Sequence, residues 1–415
     1  MQKERLVIKN FGPIKSIDLE LGKMTILIGE QATGKSTIAK VLAVCRYFSY
    51  IANTELNLDY TSNFFIKGLE SWGIDGFIQI DSYIQYVCFD YELEVKNKLE
   101  KVAISHNEDN TLNYEEFDIF SPILIPKSDN FKTLLLNLKS TISDIKSKGV
   151  FDDFLGEVIW KIPSDFYENE VSGVMKNPFY IPTERGLQSI FSLGKNSIQN
   201  ISDSLFNHFA KMDTFVRTFK KGTEIKPLNI LYKNVNGQGF IKNERQTEFS
   251  SLYNGASGYQ SIIPLVLAIK YYSENHRKKK TFIVEEPELN LFPKAQKKLM
   301  EFFVESINNN GHSFLLPTHS PYILSTLGNL IYAHKMGNLN NRKYTFEVNE
   351  NIPEKYWIDI NDLSVYYLDN GHAKNLINIE ECLINLDDLD SVSEIVNKEF
   401  DELLNLEVQF ENIDL

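Results

Sequence analysis

One stretch constrains this chain more than any other: Gly29-Glu30-Gln31-Ala32-Thr33-Gly34-Lys35-Ser36-Thr37, set directly after Met24-Thr25-Ile26-Leu27-Ile28. A strand buried on both faces reads as an almost continuous apolar run, so 24–28 predicts a parallel strand, with a glycine turn and then a helix behind it. The spacing GxxxxGK[ST] explains the turn. Glycine lets successive backbone N–H groups face an anion, and the helix N-terminus adds positive potential. Lys35 would reach the β- and γ-phosphates of a nucleotide and Ser36 would ligate Mg²⁺. Gly29, Gln31, Thr33, Gly34, Lys35, Ser36 and Thr37 are therefore the candidate phosphate-binding residues.

Three later features belong with this loop. Phe282-Ile283-Val284 runs into Glu285-Glu286-Pro287-Glu288, an apolar strand that ends in adjacent acids. Neighbouring residues at a strand end point in different directions. Glu285 is thus expected to hold the Mg²⁺ shell through water, and Glu286 to act as general base on the attacking water. Asn254-Gly255-Ala256-Ser257-Gly258-Tyr259-Gln260-Ser261 opens an apolar helix; Ser257 and Gly258 there read either as an anion site or as a plain N-cap. Leu315-Leu316-Pro317-Thr318 ends at His319, which by itself reads as a satisfied structural histidine.

Around these motifs the chain divides, by its patterns, into a first lobe (1–50), an inserted mixed lobe (51–176), a connecting region (177–249), a second lobe (250–345) and C-terminal strands with an acidic helical tail (346–415). The inserted region shows strand alternation over 89–95 and a helical stripe at Leu134, Leu135, Leu138, Ile142 and Ile145. Ile198, Ile201, Leu205, Phe209, Met212, Val216 and Phe219 recur at helical steps over about 33 Å. That is an ordinary lobe helix, with a short coiled-coil arm as the alternative. Leu228–Tyr232 and Phe240-Ile241 flank Asn236-Gly237, which predicts a hairpin. From 257 onward, helix and strand alternate, as in a mostly parallel sheet covered by helices.

Composition excludes little but does shape the partner question. The net charge of −13 would argue against a nucleic-acid binder, yet residues 380–415 hold 12 acidic residues and one lysine. The body is almost neutral. His276-Arg277-Lys278-Lys279-Lys280 reads as a solvated loop, with a phosphate-backbone contact as its alternative. No 18-residue apolar run and no signal-peptide core occur, so neither membrane insertion nor secretion is expected, and the cytoplasm is the default. Cys45, Cys88 and Cys382 show no CxxC pairing and read as reduced thiols.

Phosphate loop, small-residue helix start, paired acids and strand-end histidine, in that order, resemble the parts of ABC-type ATPase heads of the RecF, SMC and OLD (overcoming lysogenization defect) group. The resemblance covers 1–50, about 178–190 and 250–335. It implies an α/β ABC-ATPase head with a mostly parallel central sheet, an antiparallel β subdomain and an inserted helical or mixed lobe. It also implies ATP and Mg²⁺ as cofactors and a homodimer of heads or a higher homo-oligomer, with Ser257 and Gly258 meeting the partner's γ-phosphate and His319 sensing the same group. Two departures stand out: Tyr259 replaces a glycine of LSGGQ, and Glu285 replaces the usual Asp. Phe179-Tyr180-Ile181-Pro182-Thr183-Glu184-Arg185 is similar to the strand and loop that open the OLD insertion, where Arg185 either approaches phosphate or is an ordinary surface arginine. The acid run and the helix start look like the ATPase subunits of OLD-type anti-phage systems, including PARIS and, less closely, Septu. That implies a sensor or regulator of a separate effector protein, such as a Toprim-type nuclease. A RecF- or SMC-like repair or recombination clamp on DNA is the alternative. Asp388-Leu389-Asp390 fits a Toprim DxD pair, but it reads as part of the acidic tail because no strand ending in Glu-Gly precedes it.

Overall fold

The computed structural model describes residues 4–52, 58–88, 91–106, 112–126, 178–188, 203–276, 279–339 and 342–386. The expected stripe over 134–145, Ile198 and Ile201, Arg277-Lys278, Asp388–Asp390 and the acidic helical tail lie outside the described residues.

Fifteen of the seventeen strands among the described residues build the two larger sheets: β1 (Glu4–Phe11), β2 (Ile14–Leu21), β3 (Met24–Gly29), β4 (Ile78–Val87), β5 (Tyr91–His106), β6 (Leu112–Pro126), β7 (Pro178–Ile181), β8 (Thr223–Ile225), β9 (Ile230–Val235), β10 (Gln238–Asn243), β11 (Ser250–Ser251), β12 (Thr281–Val284), β13 (Ser313–Thr318), β14 (Leu363–Asp369) and β15 (His372–Asn375). The main sheet runs β6-β5-β4-β1-β2-β15-β14-β3-β13-β12-β7. Its centre, from β14 through β3, β13 and β12 to β7, is parallel throughout. The flank from β2 outward to β6 is antiparallel. β4, β5 and β6 thus continue the sheet that begins with β1, and the C-terminal pair β14–β15 lies between β2 and β3. A smaller antiparallel sheet, β11-β10-β9-β8, is built on the predicted hairpin. Asn236 (φ 51°) and Gly237 (φ 87°) give its two-residue turn the left-handed pair that such hairpins need.

Helices cover the central sheet on both faces, as the strand pattern requires. Every residue of β3, β12 and β13 is buried, and alternate side chains supply two separate cores. Ile26, Ile28, Phe282, Val284, Phe314 and Leu316 join one core, which contains α4 (Ser257–Tyr271), α5 (Pro293–Asn310) and α6 (Pro321–Gly337). Leu27, Ile283 and Leu315 join the other, with Ile38, Ala39 and Leu42 of α1 (Lys35–Ala52) and Phe65 and Leu69 of α2 (Leu58–Ser71). The described part of the predicted amphipathic helix is α3 (Asp203–Thr218). It packs Phe209, Met212, Phe215 and Val216 inward, so it is a lobe helix and not an arm. α7 (Arg342–Asn351) follows α6. No helix among the described residues is long and apolar enough to cross a membrane.

Candidate active site

Parallel pairing aligns the ends of four strands. Ile28 of β3 pairs with Thr318 of β13, Ile283 of β12 with Leu315 of β13, and Val284 of β12 with Ile181 of β7. The phosphate loop, His319, the paired acids and the Pro182–Arg185 loop therefore emerge at one carboxyl edge, where open α/β sheets bind ligands.

Glycine is required twice in the phosphate loop by close approach. A Cβ on residue 29 would lie 2.4 Å from the Leu368 carbonyl oxygen, and one on residue 34 (φ 96°) would lie 2.3 Å from Ile14 Cδ1. Ala32 also has a left-handed φ of 61°, which turns the loop's backbone. Lys35 is buried and donates to the carbonyl oxygens of Gly29 (2.9 Å) and Glu30 (2.5 Å) and to Thr33 Oγ1 (3.3 Å). Burial lowers the Lys35 ammonium from 10.5 to about 8, against the pull of Glu286 and Glu288 in the other direction. Ser36 and Gln31 are exposed at the loop's mouth, whereas Thr37 is buried at the base of α1.

The two acids diverge as adjacent strand-end residues should. Glu285 donates its N–H to the Ile181 carbonyl on the β7 side, and Glu286 donates to the Pro317 carbonyl on the β13 side. The Glu285 side chain is buried with Oε1 lacking any hydrogen bond. The Tyr180 phenol is pushed well up, by burial first and by the charge of Glu285 second. Glu286 is 37% exposed, and its Oε1 lies 3.9 Å from His319 Nε2. Of the two residues expected to hold a divalent cation, Ser36 is exposed at this edge and Glu285 offers a buried oxygen without a partner. So small a donor set suits Mg²⁺, which takes most of its ligands from phosphates and water.

Two residues beyond the sequence-derived set hold this edge together. Glu288 accepts the His319 backbone N–H at 2.7 Å, and its other oxygen is buried without a partner. Its position was legible, as the third acid of one run. Arg185, by contrast, is not the surface arginine that one of its two readings expected. It is fully buried, and its guanidinium donates to four backbone carbonyls. These are Ser261 from Nε (3.2 Å), Pro182 (3.1 Å) and Glu285 (2.7 Å) from Nη1, and Glu286 from Nη2 (2.7 Å). Burial lowers it to about 10, opposed most by Glu288 and then by Glu286 and Glu285. Consecutive carbonyls in a strand point to opposite sides. The two acids' carbonyls reach one guanidinium because Glu286 adopts φ 42°, a left-handed conformation that costs a side-chain-bearing residue roughly 1–3 kcal/mol.

Ser257 is the first residue of α4, and the N-cap is Ala256, which has no capping side chain. The plain Ser N-cap is thus not what forms. A Cβ on Gly258 would sit 2.7 Å from the Asn290 carbonyl oxygen, so the helix start packs on the loop that follows the acids. Among the described residues, no hydrogen bond or ion pair links Ser257 or Gly258 to residues 29–37. Gln260 Nε2 closes the turn before the helix by donating to the Tyr253 and Gly255 carbonyls.

No curated protein matches the chain. Solved structures with similarity include the SMC head domain from Thermotoga maritima (12% identity, 91% of this chain and 99% of that chain, TM-score 0.37). An Smc head bound to the C-winged helix domain of ScpA is similar at 11% identity (92% and 99% covered, TM-score 0.40). The Smc head domain with an extended coiled coil bound to the C-terminal domain of ScpA, from Pyrococcus furiosus, is similar at 10% identity (94% and 98% covered, TM-score 0.37). The family model AAA_15, an AAA ATPase domain, matches residues 77–324, well over half of the chain. That span holds the helix start, the acids and His319, whereas the phosphate loop at 29–37 lies outside it. With that match over more than half of its length, the chain belongs to the AAA ATPase domain family and is an ATPase.

Proposed function

We propose that this ATPase is a switch completed only when two copies meet head to head across two ATP molecules. The observation that carries this reading is the uncapped start of α4, packed beside the acid loop and without a bond to its own phosphate loop. A helix N-terminus with Ser257 and Gly258 is an anion site, and the γ-phosphate it suits is the one held by a partner head. Such sharing is isologous, so each head supplies the other.

Within one head, Lys35 and the loop amides hold the phosphates, and Ser36 and, through water, Glu285 hold Mg²⁺. The metal they would hold would supply positive charge against the phosphates of the nucleotide. Glu286 orients and deprotonates the attacking water, and its partly exposed carboxylate faces the site for that purpose. His319 stands 3.9 Å from it, placed to respond to the γ-phosphate.

The biological assignment is to the sensor or regulator subunit of an anti-phage defence complex that controls a separate effector protein. It is supported by the likeness of Glu285-Glu286-Pro287-Glu288 and Ala256-Ser257-Gly258-Tyr259-Gln260 to the ATPase subunits of OLD-type systems. ATP acts on the effector by differential affinity, because closed and open head pairs must bind it unequally for nucleotide to shift anything. The test uses Glu286→Gln with Mg²⁺ and ATP. The mass of the particle should double on adding ATP, and a pulldown should recover a partner protein. A strict monomer with full ATPase activity rules out the shared site. Recovery of DNA with no protein partner replaces the effector reading with a RecF- or SMC-like clamp.

A further inference from the structure

The four carbonyls that surround Arg185 come from three parts of the chain. Pro182 belongs to the loop after β7, Glu285 and Glu286 to the turn after β12, and Ser261 to the first turns of α4. A guanidinium offers five donors in a fixed planar fork, whereas an ammonium is a single compact charge on a flexible stem. Only the fork can reach three parts at once. It also acts on the one non-glycine residue in the acid run with a left-handed φ, Glu286.

We infer that Arg185 is a positioning residue: it holds the Glu286 turn in its working shape and ties that turn to the helix start at Ser257–Ser261, so that both move as one body. This rests on the reading of Glu286 as base and of the α4 start as the part offered to a partner head. Under that reading, each head's base serves its own ATP while its helix start serves the partner's. One buried guanidinium then links the two ATP sites of the pair. A γ-phosphate arriving at the α4 start of one head is felt at that head's own Glu286, through the Ser261 carbonyl, the guanidinium and the Glu286 carbonyl.

The test compares Arg185→Lys with the parent in ATP binding, turnover and ATP-driven association. Binding of a fluorescent ATP analogue should stay within about threefold of the parent, because the phosphate loop is untouched. Turnover should fall about 10²-fold, as for loss of a positioned base. Added to Glu286→Gln, the same substitution should weaken ATP-driven association by about tenfold or more. Turnover within threefold of the parent, or association unchanged, overturns the inference. Hydrogen exchange on Glu286→Gln alone avoids any question of folding: peptides covering 257–262 and 285–290 should gain protection at one common ATP concentration. Separate midpoints would also overturn it. If Glu286→Gln itself turns over normally or never associates, the proposed function fails before Arg185 is tested.

Discussion

The phosphate loop is one run of residues whose lysine is held by the loop's own carbonyls, whereas the acids, the histidine and the helix start come from segments scattered between 181 and 320 that hold one another. The first region is local: Gly29, Thr33 and Lys35 fix each other, while Pro13, Ile14 and Leu368 press on it from outside. The second has almost no local logic. Glu286 depends on Pro317 and Arg185, His319 depends on Glu288, and Gly258 depends on Asn290. Binding and turnover should therefore be separable by mutation, because they rest on regions assembled in different ways.

The sharpest division is expected from one substitution in each region. Lys35→Ala should abolish ATP binding, and with it turnover. Glu286→Gln should bind ATP normally and lose turnover by about 10²-fold or more. Equilibrium binding beside steady-state phosphate release checks both. If Glu286→Gln hydrolyses ATP at the parent rate, the base lies elsewhere and the comparison breaks.

A milder effect is expected at Glu288, which acts on the His319 backbone and not on substrate. Glu288→Ala removes the 2.7 Å bond and should lower kcat about tenfold with ATP affinity within threefold, while Glu288→Gln keeps an acceptor and most of the activity. A hydrogen bond to a charged group contributes about 1.5–3 kcal/mol, of which a tenfold rate loss uses about 1.4. Equal losses from Ala and Gln would show that charge, and not the bond to His319, is what counts.

The extent to which the chain was readable follows the same division. The phosphate loop, β12, β13, α5 and the Asn236-Gly237 turn were legible because each is specified by neighbours in sequence: apolar runs, glycine spacing, a left-handed pair. Arg185 was not. Its burial is allowed only by carbonyls up to about 100 residues away, and nothing near 185 announces them. The place of β14 and β15 between β2 and β3 was equally hidden, since parallel pairing of residues such as Met24 and Leu363 leaves no local periodic mark. The alternation over 89–95 likewise showed a strand without showing which sheet it would join, because its partners in β4 and β6 are set by pairing that alternation alone does not specify.

The smallest expected effect is a dependence on pH confined to the phosphate loop. With its ammonium lowered to about 8 by burial, Lys35 in the nucleotide-free head is charged below that pH and neutral above it. The phosphates require the charged form. Binding should therefore take up a proton above about pH 8, and affinity should weaken as pH rises from there toward 10.5, with little change between pH 6.5 and 7.5. Titration of a fluorescent ATP analogue at pH 7, 8 and 9 checks this, and equal affinities at all three would show that the amine keeps its proton throughout.

The position of β3 has a consequence for how the protein is made. Its two sheet neighbours, β13 and β14, are not synthesised until residues 313–318 and 363–369, while β2, its neighbour in sequence, is separated from it by two other strands. At about 5–20 residues per second, the ribosome needs roughly 17–70 s to deliver the stretch that completes the strand. For that interval Met24–Ile28 is an apolar strand with both edges unpaired, the kind of segment that joins other chains. A nascent head thus carries the strand that leads into its phosphate loop unpaired until most of the chain exists, so synthesis is the stage at which that strand is most open to other chains.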